Sequence, residues 1–200
     1  MNIRVIYIIF LSTLFLYSCK KSNEQLFDEA YTLLQNDQYD KAINLYTDLI
    51  KRNSKFQLAY YNRGYCYYSQ KNYKSALFDF NKLIDLQTIG GFIYTQNSNG
   101  PFSNEESKFQ VPYYDALYQR AQVNFYLERN NESFQDFSSL VVNNYEEKSN
   151  CYLWLGSIFI NSGDTLKACD CYNNAQKYSN KEAIEKEAGK FIDLYCVKHN

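Results

Sequence analysis

The sequence predicts an all-α protein, a solenoid of about four helix-turn-helix repeats with a capping helix at its C-terminal end. Three observations lead to this prediction. One short residue pattern recurs along the chain, mostly at intervals of 34 or 35 residues. Each copy holds two amphipathic helical patterns joined by a short polar turn. A last amphipathic stretch with a charged back follows the final copy, as the exposed end of a solenoid requires.

The N-terminal segment has the composition of a secretory signal peptide. One cation, Arg4, precedes a mostly apolar run from Val5 to Phe15, and the chain turns polar after Cys19. This run is shorter than the roughly 20 residues that a helix needs to span a bilayer, which favours a signal peptide over an uncleaved anchor. The four residues Leu16-Tyr17-Ser18-Cys19 resemble the lipobox of bacterial lipoproteins, whose cysteine becomes the lipidated first residue of the mature protein.

This resemblance implies a location as well as a modification. Residues 1–18 are predicted to be removed, Cys19 to carry lipid, and residues 19–22 to form a short tether. Each CH₂ group of an acyl chain that is buried in the bilayer contributes about 0.8 kcal/mol of binding free energy, so two or three chains would hold the protein on a membrane. We therefore expect a lipid-anchored protein of the bacterial cell envelope, on the outer membrane and facing the periplasm.

The four repeats share a small residue in the first helix and an aromatic residue 16 positions later in the second helix. The small residue lets the second helix approach closely, the aromatic ring fills the space between neighbouring pairs, and small and large residues are expected to meet in every copy. The small residues are Ala30, Gly64, Ala121 and Gly156, and the aromatic residues are Tyr46, Phe80, Phe137 and Tyr172. The third copy departs from the others at Asn124 and Ser133.

This pattern resembles the tetratricopeptide repeat (TPR) over about three-quarters of the mature chain. The resemblance implies a right-handed α-solenoid in which the first helix of each pair lines a concave groove. The predicted repeats span residues 23–56, 57–88, 113–147 and 148–180, and the capping helix spans residues 181–200.

The insertion at residues 89–112 adds 23 residues to the usual spacing between the second and third repeats. It holds three of the seven glycines and both prolines, so we expect a loop or an irregular hairpin, for example residues 92–95 against 108–111. Long insertions in compact domains are often functional. A tolerated surface extension is the alternative.

The TPR resemblance also implies the residues of the groove. The family's groove positions, five from the first helix of each repeat, correspond to Glu24, Phe27, Asp28, Tyr31, Gln35, Leu58, Tyr61, Asn62, Tyr65, Ser69, Asp115, Tyr118, Gln119, Gln122, Tyr126, Asn150, Leu153, Trp154, Ser157 and Asn161. None of these twenty is Lys or Arg, so the clamp with which some TPR proteins hold a C-terminal carboxylate is absent. Three positions are acidic: Glu24, Asp28 and Asp115. Seven positions are aromatic, and aromatic residues are the usual anchors of protein interfaces. The predicted partner-binding residues are Phe27, Tyr31, Tyr61, Tyr65, Tyr118, Tyr126 and Trp154.

The sequence offers little catalytic chemistry. The single histidine, His199, lies two residues from the end, so no His-based triad is expected. Cys169 and Cys171 would point about 200° apart on a helix, which disfavours a shared metal ion. With 21 basic and 22 acidic side chains, no strong basic field is available for nucleic acid. We expect a non-enzymatic protein that needs no cofactor or metal.

Two functions remain open from the sequence. The first is a non-catalytic scaffold that binds another envelope protein or peptide segment through the aromatic groove. The second is a carbohydrate-capture accessory lipoprotein, because exposed Tyr and Trp rings also stack on sugar faces. Whether any pair among the five cysteines after Cys19 forms a disulfide is also left open; an oxidising compartment would permit one.

Overall fold

A computed structural model describes residues 21–89, 92–93 and 110–196, and nine α-helices account for most of them. The helices are α1 Asn23–Gln35, α2 Tyr39–Arg52, α3 Gln57–Ser69, α4 Tyr73–Gln87, α5 Tyr113–Tyr126, α6 Asn130–Val142, α7 Lys148–Asn161, α8 Thr165–Tyr178 and α9 Glu182–Tyr195. Two short strands, β1 Thr88–Ile89 and β2 Phe92–Ile93, follow α4.

The first eight helices form four pairs that stack in chain order. The second helix of each pair packs on the first helix of the next pair, and α9 packs on α8. The pairs begin at residues 23, 57, 113 and 148, where the sequence predicts the repeats to begin. The all-α solenoid predicted from the sequence is therefore confirmed.

The turn inside each pair has the same backbone hydrogen bonds. In the first pair the Asp37 N–H donates to the Leu34 carbonyl at 3.0 Å and the Gln38 N–H donates to the Leu33 carbonyl at 2.9 Å. This is the Schellman motif, which places one residue in the left-handed region. The residues in that conformation are Asp37, Lys71, Glu128 and Gly163, with φ of 56°, 59°, 59° and 80°.

The predicted contact between small and aromatic residues is present inside the pairs. A Cβ atom on Gly64 would lie 2.9 Å from the Phe80 ring, and one on Gly156 would lie 2.3 Å from the Tyr172 ring. Both rings are buried. The helices of these pairs could not approach so closely with a side chain at either glycine.

Three buried residues hold the two ends of the insertion together. The Gln87 side-chain amide donates to Gln57 Oε1 at 3.1 Å and also to the Val111 carbonyl. The Val111 N–H in turn donates to Gln57 Oε1 at 3.1 Å. Because Gln87 ends α4 and Val111 nearly begins α5, the insertion starts and finishes beside the first turn of α3.

The hairpin predicted between residues 92–95 and 108–111 is wrong in its strand pairing. Residues 92–93 pair antiparallel with Thr88–Ile89, and Ile89 lies opposite Phe92. Only Gly90-Gly91 separates these strands, and Gly-Gly is typical of two-residue hairpin loops. Closing so short a loop costs less conformational entropy than reaching a strand 15 residues away. The insertion from residue 94 to 109 lies outside the described residues.

The last helix covers the C-terminal end of the solenoid. Ile184 and Ala188 are buried, and the Phe191 ring stacks on the Tyr172 ring with centroids 4.8 Å apart. A disulfide joins Cys169 of α8 to Cys196 at the end of α9. This is a pairing that the sequence left open, and it ties the capping helix to the last repeat.

Residues 1–20 lie outside the described part of the chain, so the signal peptide and the lipidation of Cys19 stay predictions. His199 lies outside it too. Within residues 21–196, as far as they are described, no helix combines the length and apolar character needed to cross a membrane.

Candidate binding surface

The seven predicted groove aromatics all lie on the first helices of the pairs, and we call the surface formed by α1, α3, α5 and α7 the groove face. Three of the rings are exposed: Tyr31 by 43%, Tyr65 by 41% and Tyr126 by 43%. The other four are half-buried. Exposure therefore divides the predicted set into rings that face solvent and rings that also pack between helices.

Phe27 and Tyr61 belong largely to the interior. The Phe27 ring lies 6.0 Å from the Tyr46 ring and 5.7 Å from the Phe56 ring. Tyr61 meets the Phe80 ring edge-on at 6.1 Å, and its hydroxyl accepts a hydrogen bond from the Gln119 amide at 3.4 Å. Burial raises the pKa of Tyr61. These rings support the groove face from below and present only part of their surface to a partner.

Tyr118 and Trp154 share one buried partner, Phe137. The Trp154 ring stacks on Phe137 at 5.8 Å with an interplanar angle of 5°, and Tyr118 meets Phe137 edge-on at 5.9 Å. Burial raises the pKa of Tyr118 to about 12. One face of Trp154 is thus covered by the third repeat, and its edges contact Phe125 and Tyr126.

Tyr126 is held by two tyrosines that the sequence did not single out. Its ring stacks on Tyr73 at 4.9 Å with an interplanar angle of 5°, and it lies 5.8 Å from the Tyr68 ring. Tyr68 is at the position of Leu34 in the first repeat, and Tyr73 opens α4. Comparing these positions between repeats would have drawn attention to both, because aromatic side chains near a helix end reach the neighbouring pair.

A cavity of about 360 Å³ opens between the first and second pairs. Four tyrosines line it together with Asp37 and Asn62, and we call it the tyrosine pocket. The tyrosines are Tyr31, Tyr39, Tyr61 and Tyr65, and Leu34 and Gln35 complete the lining. Three of these tyrosines are predicted groove residues; Asp37 in the turn after α1 and Tyr39 at the start of α2 were not predicted.

The acidic character predicted for the groove face has different sources in different repeats. Asp115 accepts a hydrogen bond from the Tyr145 hydroxyl at 2.8 Å, and burial together with this bond raises the pKa of Tyr145. Glu24 and Asp28 are exposed on α1. Asp37 adds a fourth carboxylate, which accepts a hydrogen bond from the Tyr39 hydroxyl at 2.5 Å.

Arg63 and Arg120 form ion pairs inside the repeats. The Arg63 guanidinium makes two hydrogen bonds to Asp79, at 2.8 and 2.6 Å, and a third to Thr47 of the preceding pair. Arg120 pairs with Asp136 in the same way, at 2.8 and 2.7 Å. Such bidentate pairs fix the geometry between neighbouring helices. Both arginines therefore have structural roles in their repeats.

The described cysteines also have structural roles. Cys66, Cys151 and Cys171 are buried, and burial raises the pKa of all three thiols. Of the two residues in Cys169-x-Cys171, Cys169 forms the disulfide with Cys196 and Cys171 is a free thiol in the core. Within the described residues no group of three or more His, Cys, Asp or Glu side chains is placed to hold a metal ion.

Comparison with known proteins gives the family. Two family models of the tetratricopeptide repeat match the chain, over residues 27–87 and 149–182. Among solved structures, YrrB, described as a TPR protein with an unusual peptide-binding site, is 17% identical with a TM-score of 0.61, covering 91% of this chain and 82% of that chain. No curated protein matches the chain.

Two further structures share the fold. MamA from Desulfovibrio magneticus, from its residue 41 onward, is 15% identical, covers 79% of this chain and 76% of that chain, and has a TM-score of 0.62. The C-terminal part of a TPR repeat-containing protein from Cytophaga hutchinsonii is 16% identical, covers 84% of this chain and 57% of that chain, and has a TM-score of 0.61.

The chain is a tetratricopeptide repeat protein. The third pair lies outside the two matched ranges, yet it has the same internal turn and the same arginine-aspartate pair as the second. Its departure at Ser133 is compatible with burial, because the Ser133 hydroxyl donates to the Ala121 carbonyl at 2.9 Å. The TPR fold suggests a scaffold for protein interactions, and proteins of this family are typically non-catalytic.

Proposed function

We propose that this protein is a lipid-anchored, non-catalytic scaffold that binds another envelope protein through the groove face. The observation that carries the proposal is the presence of exposed rings along that face, Tyr31 and Tyr65 on the first two pairs and Tyr126 beside Trp154 on the third and fourth. Aromatic residues concentrate binding energy when water is excluded around them. No described residue of the twenty groove positions is Lys or Arg, which favours a neutral or basic partner segment.

The anchoring part of the proposal depends on Cys19. The lipobox-like residues support it, and the disulfide between Cys169 and Cys196 agrees with it, because such bonds persist in oxidising compartments such as the bacterial periplasm. Mass spectrometry of the protein from its native membrane should find an acylated Cys19 as the first residue. A Cys19→Ser variant should accumulate as precursor, whereas an intact Met1 and unmodified Cys19 in the wild type would contradict lipidation.

Photo-crosslinking in cells tests the groove itself. A photoreactive amino acid at Tyr61, Tyr118 or Trp154 should capture one partner protein, and the same substitution at Lys51 on α2, outside the groove face, should not. Trp154→Ala should weaken binding of the captured partner by roughly 2 kcal/mol if the ring is a hot spot. Capture from Lys51 alone would contradict a binding site on the groove face.

Carbohydrate capture is the second candidate. Sugar stacking needs one accessible ring face; one face of Trp154 is stacked on Phe137, so a sugar would have to use the opposite face or the exposed Tyr65 ring. Binding to a glycan array that disappears in both Trp154→Ala and Tyr65→Ala would favour this second function over the scaffold.

A further inference from the structure

The tyrosine pocket opens at a junction where the second pair has a small residue, Ser69, near the pocket residue Tyr39. When the second and third repeats are aligned, Ser69 is at the same position as Tyr126, which lies 57 residues later. At the next junction Tyr126 stacks on Tyr73 and contacts Tyr68, and so occupies the space beside them. Tyr39 of the first pair corresponds to Tyr73, but its neighbour from the second pair is Ser69 instead of a ring, and a cavity opens beside Tyr39. The same fold thus has a filled junction and an open one.

The charge at the two junctions is opposite. The left-handed turn residue is Asp37 at the open junction and Lys71 at the filled junction. The hydrogen bond to Asp37 is the main reason that the pKa of Tyr39 is raised, while its interaction with Ser69 lowers it. None of the described residues that line the pocket is Lys, Arg or His. The open junction therefore carries a carboxylate with no cation among its lining residues.

The walls of the pocket have the chemistry that attracts cations. Ring faces of tyrosine bind ammonium and guanidinium groups within about 6 Å, and the attraction grows as water is removed. Tyr31 and Tyr65 are exposed by about two-fifths, so they form the mouth, while Asn62 is only 7% exposed and lies deeper. A guanidinium is planar and weakly hydrated, so it stacks on rings and pairs with a carboxylate better than an ammonium does.

We propose that the tyrosine pocket binds a basic side chain of the partner protein, arginine in preference to lysine. The inference rests on the proposed function, since it names the chemistry that one part of the groove face recognises. The aliphatic part of the arginine side chain lies between Tyr31 and Tyr65, and its guanidinium meets the Asp37 carboxylate. The junction between the second and third pairs does not bind such a group, because Tyr126 fills it and Lys71 repels it.

Four peptides test this preference with the purified full chain. Each is a fluorescein-labelled amide of sequence GALAXALAG, with arginine, lysine, norleucine or glutamate at X. We expect the arginine peptide to bind about tenfold more tightly than the norleucine peptide, as a partly desolvated cation-π contact and one ion pair allow. The lysine peptide should fall between them and the glutamate peptide should bind most weakly. Equal binding of the arginine and norleucine peptides would overturn the proposal.

The variants introduce into the open junction the residues found at the filled junction. Ser69→Tyr copies the filled junction and Asp37→Lys copies its charge, and each should bring the ratio of arginine to norleucine binding close to one. Tyr178→Leu removes a ring of similar exposure, 46%, on α8 and should leave the ratio unchanged. If Ser69→Tyr fails to fold, as judged by its thermal unfolding, Tyr31→Leu replaces it. If the arginine peptide still binds more tightly than the norleucine peptide in both Asp37→Lys and the pocket-filling variant, the arginine binds elsewhere and the assignment is overturned.

The outcomes also separate this proposal from the proposed function. Capture of a partner from Tyr61 in cells, without any arginine preference among the peptides, would leave the groove standing and overturn the pocket assignment. Failure to capture a partner from any groove position would overturn the proposed function and, with it, the pocket. An arginine preference lost in Ser69→Tyr together with capture of a partner would support both.

Discussion

At the scale of single residues, packing rather than residue type decides what a tyrosine does. Tyr46 and Tyr172 are buried beside small residues, Tyr118 supports the groove face, and Tyr31 and Tyr65 face solvent. All five are the same side chain at different helical positions. A high tyrosine content therefore serves both the interior and the candidate binding surface.

Gly156 is the residue where packing leaves least room. An added Cβ would lie 2.3 Å from the Tyr172 ring, so Gly156→Ala should lower the free energy of unfolding by about 1–3 kcal/mol through overpacking. Gly64→Ala should cost less, since its nearest contact is 2.9 Å. Gly189→Ala is the control, because nothing lies within 4 Å of that Cβ and alanine favours helix by about 0.5–1 kcal/mol. Urea unfolding measures all three, and an unchanged Gly156→Ala would refute the close contact.

At the scale of elements, the internal turn is the part that all four pairs repeat most closely. Its left-handed residue is a glycine only in the fourth pair and a charged residue in the other three. A non-glycine residue there costs roughly 1–2 kcal/mol. The turn is therefore held by its Schellman hydrogen bonds and by the packing of the helices it joins.

Two substitutions in the turns are expected to change the free energy of unfolding in opposite directions. Glu128→Gly should raise the free energy of unfolding by about 0.5–1 kcal/mol, because relief of the left-handed strain exceeds the extra backbone entropy that glycine loses. Gly163→Ala should lower it by about 1 kcal/mol for the converse reason. Chemical unfolding of both variants checks the pair of signs. Destabilisation by Glu128→Gly would show that the glutamate side chain has a stabilising contact of its own.

The capping helix gives a second prediction at this scale. Cys169 and Cys196 are 27 residues apart, and a disulfide closing such a loop typically contributes about 2–4 kcal/mol. Cys196→Ser should therefore speed amide exchange in α9 while leaving α1 unchanged. A reducing agent should bring the wild type to the melting temperature of this variant and leave the variant itself unaffected. No effect of reduction on the wild type would mean that the bond does not form in the native protein.

At the scale of the whole molecule, three thiols lie in the interior of the solenoid and should make it sensitive to alkaline pH. Burial raises the pKa of Cys66 and Cys151 to about 12 and that of Cys171 to about 11. A thiol in the unfolded chain ionises near 9, so above this pH the unfolded state loses protons that the folded state keeps. The stability is complete below pH 9 and should fall as the pH rises toward 11, which urea titrations at pH 7.5 and 10 would show.

Alkylation gives an independent measurement of the same thiols. Iodoacetamide at pH 8 should label none of the three in the folded chain and all three after unfolding, as counted by mass spectrometry. The thiolate is the reactive form, and a raised pKa keeps its population small. Labelling of the folded chain as fast as of a free thiol would contradict the burial of these residues.

The sequence determined the solenoid, because its repeat is a local pattern that recurs at a fixed spacing. The small and aromatic positions, the turns and the capping stripe all come from neighbouring residues on one helix pair, and the structure confirms them. The TPR resemblance placed Tyr31, Tyr65 and Tyr126 on the first helices, and in the structure their rings are exposed by about two-fifths.

Tertiary structure decided whatever depends on residues far apart in the chain. The strand partner of residues 92–93, the bond between Cys169 and Cys196, and the closure of the insertion by Gln57 are such cases. So is the difference between the open and filled junctions, which comes from a serine in one pair and a tyrosine in the next. Periodicity indicates the face on which a side chain lies. Only the packing of one pair on another determines whether the space beside it is filled.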